Sequence, residues 1–422
     1  MAGTFTPGSE PAFSAGNTSV LEVPAGVTIT SVTPDTVSLD NGDSGGFSFL
    51  GGGSLRSVTL IDFAPAITAT TGTLVLEDLV FDYYTGDGNS CGTNGDRAFI
   101  ELHGDVEATW GAGATAAPLG ESAECLARLQ DGASLTLTGL DLSGSLFSKD
   151  DGLLPVLDDA SLTLDDVTIA GALVPVVARE QATVTVNNST IDANGIHFGA
   201  VLSGSAAFTL SGGSTIIGAQ SGCIRSEDED GEIATPTIAV LDSTLIYCGR
   251  GIWNPVASVP NIELDGATIS GMVFEGILIG TGGSLTAMAS TFEGNGDWAI
   301  STGISVEPAN VMIRDSVFTD NVPGGVRIKS ALNSSWDLGR GNDPGGNTFT
   351  GHIEGGVALD VGPAQDTLIV YASGNTWVPN VQGADENGHY SVVSGEANDV
   401  VSGYGSNYSI DTWGVLRLAE NP

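Results

Sequence analysis

The sequence predicts an all-β chain: a right-handed single-stranded parallel β-helix, a solenoid with rungs of about 22–30 residues. Three observations predict it. A short motif recurs at that spacing, the composition is that of strands and turns, and no stretch carries a sustained helical period.

The motif is an apolar residue, three variable residues, a Thr-like residue and a second apolar residue. It reads Leu76-Glu-Asp-Leu-Val-Phe81, Leu137-Thr-Gly-Leu-Asp-Leu142, Leu164-Asp-Asp-Val-Thr-Ile169 and Val186-Asn-Asn-Ser-Thr-Ile191. It continues through Val240-Leu-Asp-Ser-Thr-Leu245, Leu264-Asp-Gly-Ala-Thr-Ile269, Ala287-Met-Ala-Ser-Thr-Phe292 and Ile313-Arg-Asp-Ser-Val-Phe318. From Leu142 to Trp377 the final apolar residues are 27, 22, 25, 29, 24, 23, 26, 31 and 28 residues apart. Leucine-rich repeats would show a different Leu frame, and propeller blades need about 40 residues or more. A second strand follows in the form Gly195-Ile-His-Phe198, Gly276-Ile-Leu-Ile279, Gly325-Val-Arg-Ile328 and Gly356-Val-Ala-Leu359. Alternate residues then face inward and stack on the next rung, which supplies the core that one rung cannot build alone.

No linker divides the chain. Residues 1–45 are expected to form an N-terminal cap and the first strands. Residues 46–378 form the β-helix, with loop inserts near 82–96 and 111–124 and a degenerate rung around Phe99–Leu102. Residues 379–422 form a C-terminal rung and cap, because open solenoid ends are sticky strand edges.

Composition narrows the function. Gly numbers 60 of 422, and Lys plus Arg only 12 against 51 Asp plus Glu, for a net charge of −39. That excludes nucleic-acid binding and disfavours anionic lipid. No apolar run is long enough for a membrane span, so no direct membrane insertion is expected. Met1-Ala2-Gly3 leads into polar sequence without a basic and apolar leader, so export implies a signal segment outside this sequence. Four Cys without metal-ligand spacing predict the disulfides Cys223–Cys248 and Cys91–Cys125, and with them an extracellular or cell-surface location. The first pair is separated by 25 residues, about one rung.

Three stretches, 335–349, 374–380 and 383–390, resemble the C-terminal part of uncharacterised secreted bacterial right-handed parallel β-helix proteins. The repeat carries a looser resemblance to the pectate-lyase-like superfamily over most of the chain. That superfamily includes polysaccharide lyases and hydrolases, tailspikes and adhesins, so the resemblance implies the fold and leaves the activity open. Arg327-Ile-Lys329 is similar to the substrate-carboxylate-binding motif of polygalacturonases. The Asn-Thr-Asp and Gly-His-Gly partners of that motif are missing, and Asp-Asp occurs only at 150–151, 158–159 and 165–166. Arg327 and Lys329 are therefore substrate-binding candidates only under the enzyme alternative. No catalytic residue is assigned.

A site on a solenoid must be a column of residues on adjacent rungs. Counting two residues past the strand glycine predicts the column His197, Ile224, Leu278, Ala299, Arg327 and Ala358, which holds no carboxylate pair. A second column reads Asp78, Asp166, Asn188, Asp242 and Asp315, and fits turn chemistry better than cation binding. Weak calcium candidates are Asp228, Asp230 and Glu232 in the run 226–232, and Asp87 and Asp96 in the run 82–96. Calcium is the candidate ion, and no other cofactor is expected. Trp110, Trp253 and Trp298 suit either sugar stacking or packing. The expectation is an extracellular structural or adhesive rod presenting loops to a protein or polysaccharide partner, of unspecified oligomeric state. The alternatives are a polysaccharide lyase or hydrolase and a non-catalytic glycan-binding module.

Overall fold

The computed structural model describes residues 21–30, 38–40, 46–61, 66–82, 98–111, 125–147, 152–193, 195, 197–228, 231–255, 258–280, 282–302, 309–328, 335–340, 343–351, 357–361, 369–371, 374–377, 401–402, 408–410 and 415–418. The expected inserts therefore lie largely outside them. Every regular element among these residues is a β-strand. The chain forms two compact units, Met1–Val201 with Ala206–Phe208, and Leu202–Ser205 with Thr209–Pro422. Each is a parallel β-helix in its own right.

Within the first unit, one turn of the coil runs Leu154–Val156, Ser161–Asp165 and Thr168–Ala172. The next runs Val176–Ala178, Thr183–Asn187 and Thr190–Asp192. Equivalent strands pair in parallel register, Leu162 with Val184 and Ile169 with Ile191. We call the three resulting sheets 1, 2 and 3, in chain order within a turn. Ala98–His103 belongs to sheet 1 and pairs on both sides, with Ile67–Ala69 and Cys125–Gln130. The segment expected to be degenerate is thus an ordinary rung.

In the second unit, sheet 1 contains Gly222–Ser226, Ile252–Asn254, Ile277–Ile279, Ile300–Thr302 and Gly324–Ile328. Sheet 2 runs from Thr237–Leu241 through Asn261–Asp265, Gly283–Met288 and Ala309–Arg314 to Ser335–Asp337. Sheet 3 runs from Thr215–Ile217 to Thr348–Thr350. The repeating motif is the sheet 2 to sheet 3 corner. Its two apolar residues point inward and are buried, as Leu264 and Ile269 are, while the Thr-like residue faces outward. Inward residues stack like on like: Leu245, Ile269, Phe292, Phe318 and Phe349 follow one another in register. The last three rings lie parallel with centroids 4.8 and 4.6 Å apart. Each such buried side chain contributes roughly 1.5–3 kcal/mol.

The two-residue corner explains the variable positions. Its first residue is left-handed: Asp78, Asp166, Asn188, Asp242 and Asp315 have φ of 52, 58, 48, 47 and 52°. Asp and Asn tolerate that conformation better than most residues. The second corner residue points inward; it is apolar on some rungs, such as Leu79 and Val167, and polar on others. Ser189, Ser243, Ser290, Ser316 and Asn347 are buried there. Ser290 Oγ donates to the Met288 carbonyl and accepts from the Ala267 N–H on the preceding rung. Ser316 and Asn347 repeat this toward Ser290 and Ser316. Asn295 and Asn321 build a second buried ladder at the sheet 3 to sheet 1 corner. Toward the C-terminus the parallel pattern of sheet 2 ends. Ile369–Tyr371 pairs antiparallel with Val415–Leu418, which pairs antiparallel with Tyr408–Ile410.

Candidate binding face of the second unit

Sheet 1 of the second unit carries an outward column. The pairing register aligns Arg225, Trp253, Leu278, Ser301, Arg327 and Asp360. This corrects the column expected from glycine spacing. Ile224 pairs with Ile252 and is buried, Ala299 precedes its strand, and Ala358 lies two residues before Asp360. His197 precedes the strand Phe198–Leu202 in the first unit and is exposed. The offset failed because the corner entering sheet 1 varies in length, so the glycine does not hold a constant place. Ser301, although in register, is buried.

The corner feeding this sheet adds side chains to the column. Segments 247–251 and 271–276 lie on adjacent rungs, joined by the Val273 and Phe274 N–H groups donating to the Cys248 and Gly249 carbonyls. Arg250 sits over the rings of Trp253, at 5.0 Å, and Phe274, at 4.8 Å. Arg225 sits over Trp253 as well, at 5.1 Å. Arg250 Nε donates to Glu275 at 2.8 Å, and Arg225 pairs with Glu227 at 3.1 Å. Arg327 lies 5.6 Å over Trp298. Partly exposed cation–π contacts of this kind are worth roughly 0.5–2 kcal/mol each. Three of the chain's 12 cations thus share one face with Glu227 and Glu275, and Asp360 follows Arg327 in register, so the face holds no excess of cations within a chain of net charge −39.

Of the three Trp, Trp110 is fully buried and Trp298 is 4% exposed, so both are packing residues. Trp253 is half-buried, with the guanidinium groups of Arg225 and Arg250 over its ring. Tyr247, Val273 and Phe274 extend this face as exposed apolar side chains.

The other sequence candidates distribute as follows. Arg327 is on the face; Lys329 lies outside the described residues. Asp228 and Glu232 are exposed near the end of the Gly222–Ser226 strand, while Asp230, Asp87 and Asp96 lie outside the described residues. Among the described residues no three His, Cys, Asp or Glu side chains come together as a metal site. The Asp column does not stack carboxylate on carboxylate at its lower rungs. Asp242 and Asp315 fold over Gly266 and Gly346 of the next rung, leaving no room there for a Cβ. Cys223–Cys248 is a disulfide with Cα atoms 5.6 Å apart. Cys125 is disulfide-bonded too, and Cys91 lies outside the described residues.

The stretch 335–349 holds a structural clasp that the sequence did not reveal. Buried Arg314 donates to Asp337 at 2.8 Å and to Asp343 at 2.7 Å, and Arg340 donates to Asp337 as well. Burial opposes the Arg314 charge, but hydrogen bonds to Asp343 and Asp337 outweigh it and hold its pKa above the ordinary value. The hydrogen bond from Arg314 in turn holds the Asp343 carboxyl below the usual carboxylate range. Arg314 occupies a variable position of the motif, and only its large number of donors hinted at this use.

No family model matches the chain, and no curated protein matches it. Among solved structures the chain is similar to the A-module of the Azotobacter vinelandii mannuronan C-5 epimerase AlgE6. The identity is 15%, over 86% of this chain and 91% of that one, with a TM-score of 0.43.

Proposed function

We propose that the chain is an extracellular structural β-helix whose second unit binds a neutral polysaccharide, without turning it over, along the outward face of sheet 1. The observation that carries this reading is the Arg225–Trp253–Arg250–Phe274 stack. The rings of Trp253 and Phe274 hold the two arginines in place, and guanidinium and carboxylate groups fixed in this way take the hydroxyls of a sugar. A concave or flat face with a few convergent polar groups is the usual form of such a site. Charge decides between neutral and acidic glycans. A net −39 repels a polyanion at long range, and the face offers no local excess of cations to offset it. The carboxylates nearest the stack, Glu227 and Glu275, are engaged by Arg225 and Arg250, which suits binding better than proton transfer. The disulfide Cys223–Cys248 supports an oxidising, extracellular setting.

The test is depletion binding and calorimetry on neutral glucan, mannan and xylan, set against pectate and alginate. Trp253→Ala should weaken binding about tenfold or more. Preference for the acidic polymers, or indifference to Trp253→Ala, would refute the reading. Turnover of any of these polymers, abolished by Arg327→Ala, would promote a lyase or hydrolase instead.

A further inference from the structure

The corner from sheet 3 to sheet 1 has a left-handed residue on each rung. In the second unit that column reads Gly218, Tyr247, Gly271, Gly294, Asp320 and Gly351, with φ of 79, 55, 65, 62, 55 and 69°. Gly avoids the Cβ clash of this conformation, and Asp relieves it through local hydrogen bonds. Tyr does neither. A bulky side chain at positive φ is a true outlier, and such strain collects at functional sites. Burial does not repay it, because Tyr247 is 63% exposed. The Cδ1–Cε1 edge of the ring instead rests against Gly271 of the next rung. A Cβ at Gly271 would stand 2.6 Å from both Cδ1 and Cε1 of Tyr247. Gly271 also has φ of 65°, so the position suits glycine twice over. One edge of the ring is thus seated against the next rung while most of the side chain stays open to solvent.

Its surroundings fit a ligand. The next residue, Cys248, is tied to Cys223 on the strand that carries Arg225. Val273 and Phe274, on the adjacent turn, are 62% and 45% exposed. Arg250 links Phe274 to Trp253. We infer that Tyr247 is the aromatic platform of a sugar subsite at this corner, taking the C–H face of a neutral pyranose unit whose chain continues past Phe274 to Trp253. The inference rests on the neutral-polysaccharide reading above and adds a subsite to it. A rigid, preseated ring loses little entropy on binding, which is why a platform at a strained position is worth its cost in stability.

The test uses the whole chain with Tyr247→Gly and Tyr247→Phe, against the neutral polysaccharide that binds best. Stability and affinity should move in opposite directions. Tyr247→Gly raises the melting temperature, by relieving the left-handed strain, and weakens binding about tenfold. Tyr247→Phe keeps wild-type affinity, because the ring face and not the hydroxyl makes the contact. Unchanged affinity in Tyr247→Gly would overturn the platform, and so would a fall in its melting temperature, which would make the ring a packing residue. If Trp253→Ala weakens binding and Tyr247→Gly does not, the binding face stands and the subsite falls. If the wild type binds no neutral polysaccharide, both fall.

Discussion

Replacing Asn321 by Ala removes one link of a buried ladder, and the cost follows from what that link holds. Asn321 Oδ1 accepts from the Asn295 N–H at 3.2 Å and from Asn295 Nδ2 at 2.7 Å. Asn321 Nδ2 donates to the Phe292 carbonyl at 2.9 Å. Both side chains are fully buried. The substitution strands two donors and weakens the satisfaction of one acceptor, and each buried group left unpaired costs about 1–3 kcal/mol. Partial relaxation brings the total to about 3–5 kcal/mol. Urea unfolding should show this as a lower midpoint at an unchanged slope. The double variant Asn295→Ala/Asn321→Ala should cost less than the sum of the singles, by about 1–2 kcal/mol, since the second deletion removes the side-chain donor that the first stranded. A single-variant cost below about 1 kcal/mol, or strict additivity, would refute the ladder as a source of stability.

Asp337→Ala should cost about 3 kcal/mol, because it strips a partner from buried Arg314, whereas the loss of exposed Asp343 should cost little. The Asp343 pKa is lowered in the folded state, so its stabilising contribution is present above the unfolded carboxylate value, about 3.9. It is lost as pH falls through the lower folded value, so wild type should be the more stable above that window and should converge with Asp343→Asn below it, as acid unfolding of the two would show. Ala289→Gly, at φ of 46°, should stabilise by about 0.5–1 kcal/mol, read as a raised urea midpoint. Reducing Cys223–Cys248, a closure across 25 residues, should destabilise by about 3.5 kcal/mol in the chain-entropy estimate, measured by melting with and without reductant. Millimolar Ca²⁺ should raise the melting midpoint by relieving repulsion among 51 carboxylates; an unchanged midpoint would leave the runs 82–96 and 226–232 as solvated turns.

Much of the fold was legible because a solenoid writes its geometry as a period. The Thr-like residue of the motif faces outward on sheet 3 and its flanking apolar residues stack inward, so spacing alone placed Leu264 and Ile269. One rung of separation also identified the partners Cys223 and Cys248. The column Asp78 to Asp315 read correctly as turn chemistry because a left-handed residue limits the choice of side chain. The binding face was not legible. Its column depends on the register of sheet 1, and the corners that enter that sheet differ in length, so counting from glycine put Ile224 where Arg225 belongs. Arg250 and Phe274 come from those corners, outside any repeat. Tyr247 has no sequence signal, since a tyrosine does not mark a positive-φ position until the rungs are aligned.

The corner ladders also have a direction in time. The Val167 N–H is met by Ser189, that of Ser290 by Ser316, that of Ser316 by Asn347, and that of Asn347 by Asn375. In every case the acceptor is supplied by a later rung. A chain emerging N-terminus first therefore completes each rung only when its successor arrives, and the growing edge always carries open donors. Assembly of such a coil resembles crystal growth from a seed more than the collapse of a globule. The last-laid rung is at each moment both the least finished part of the protein and the template for the next.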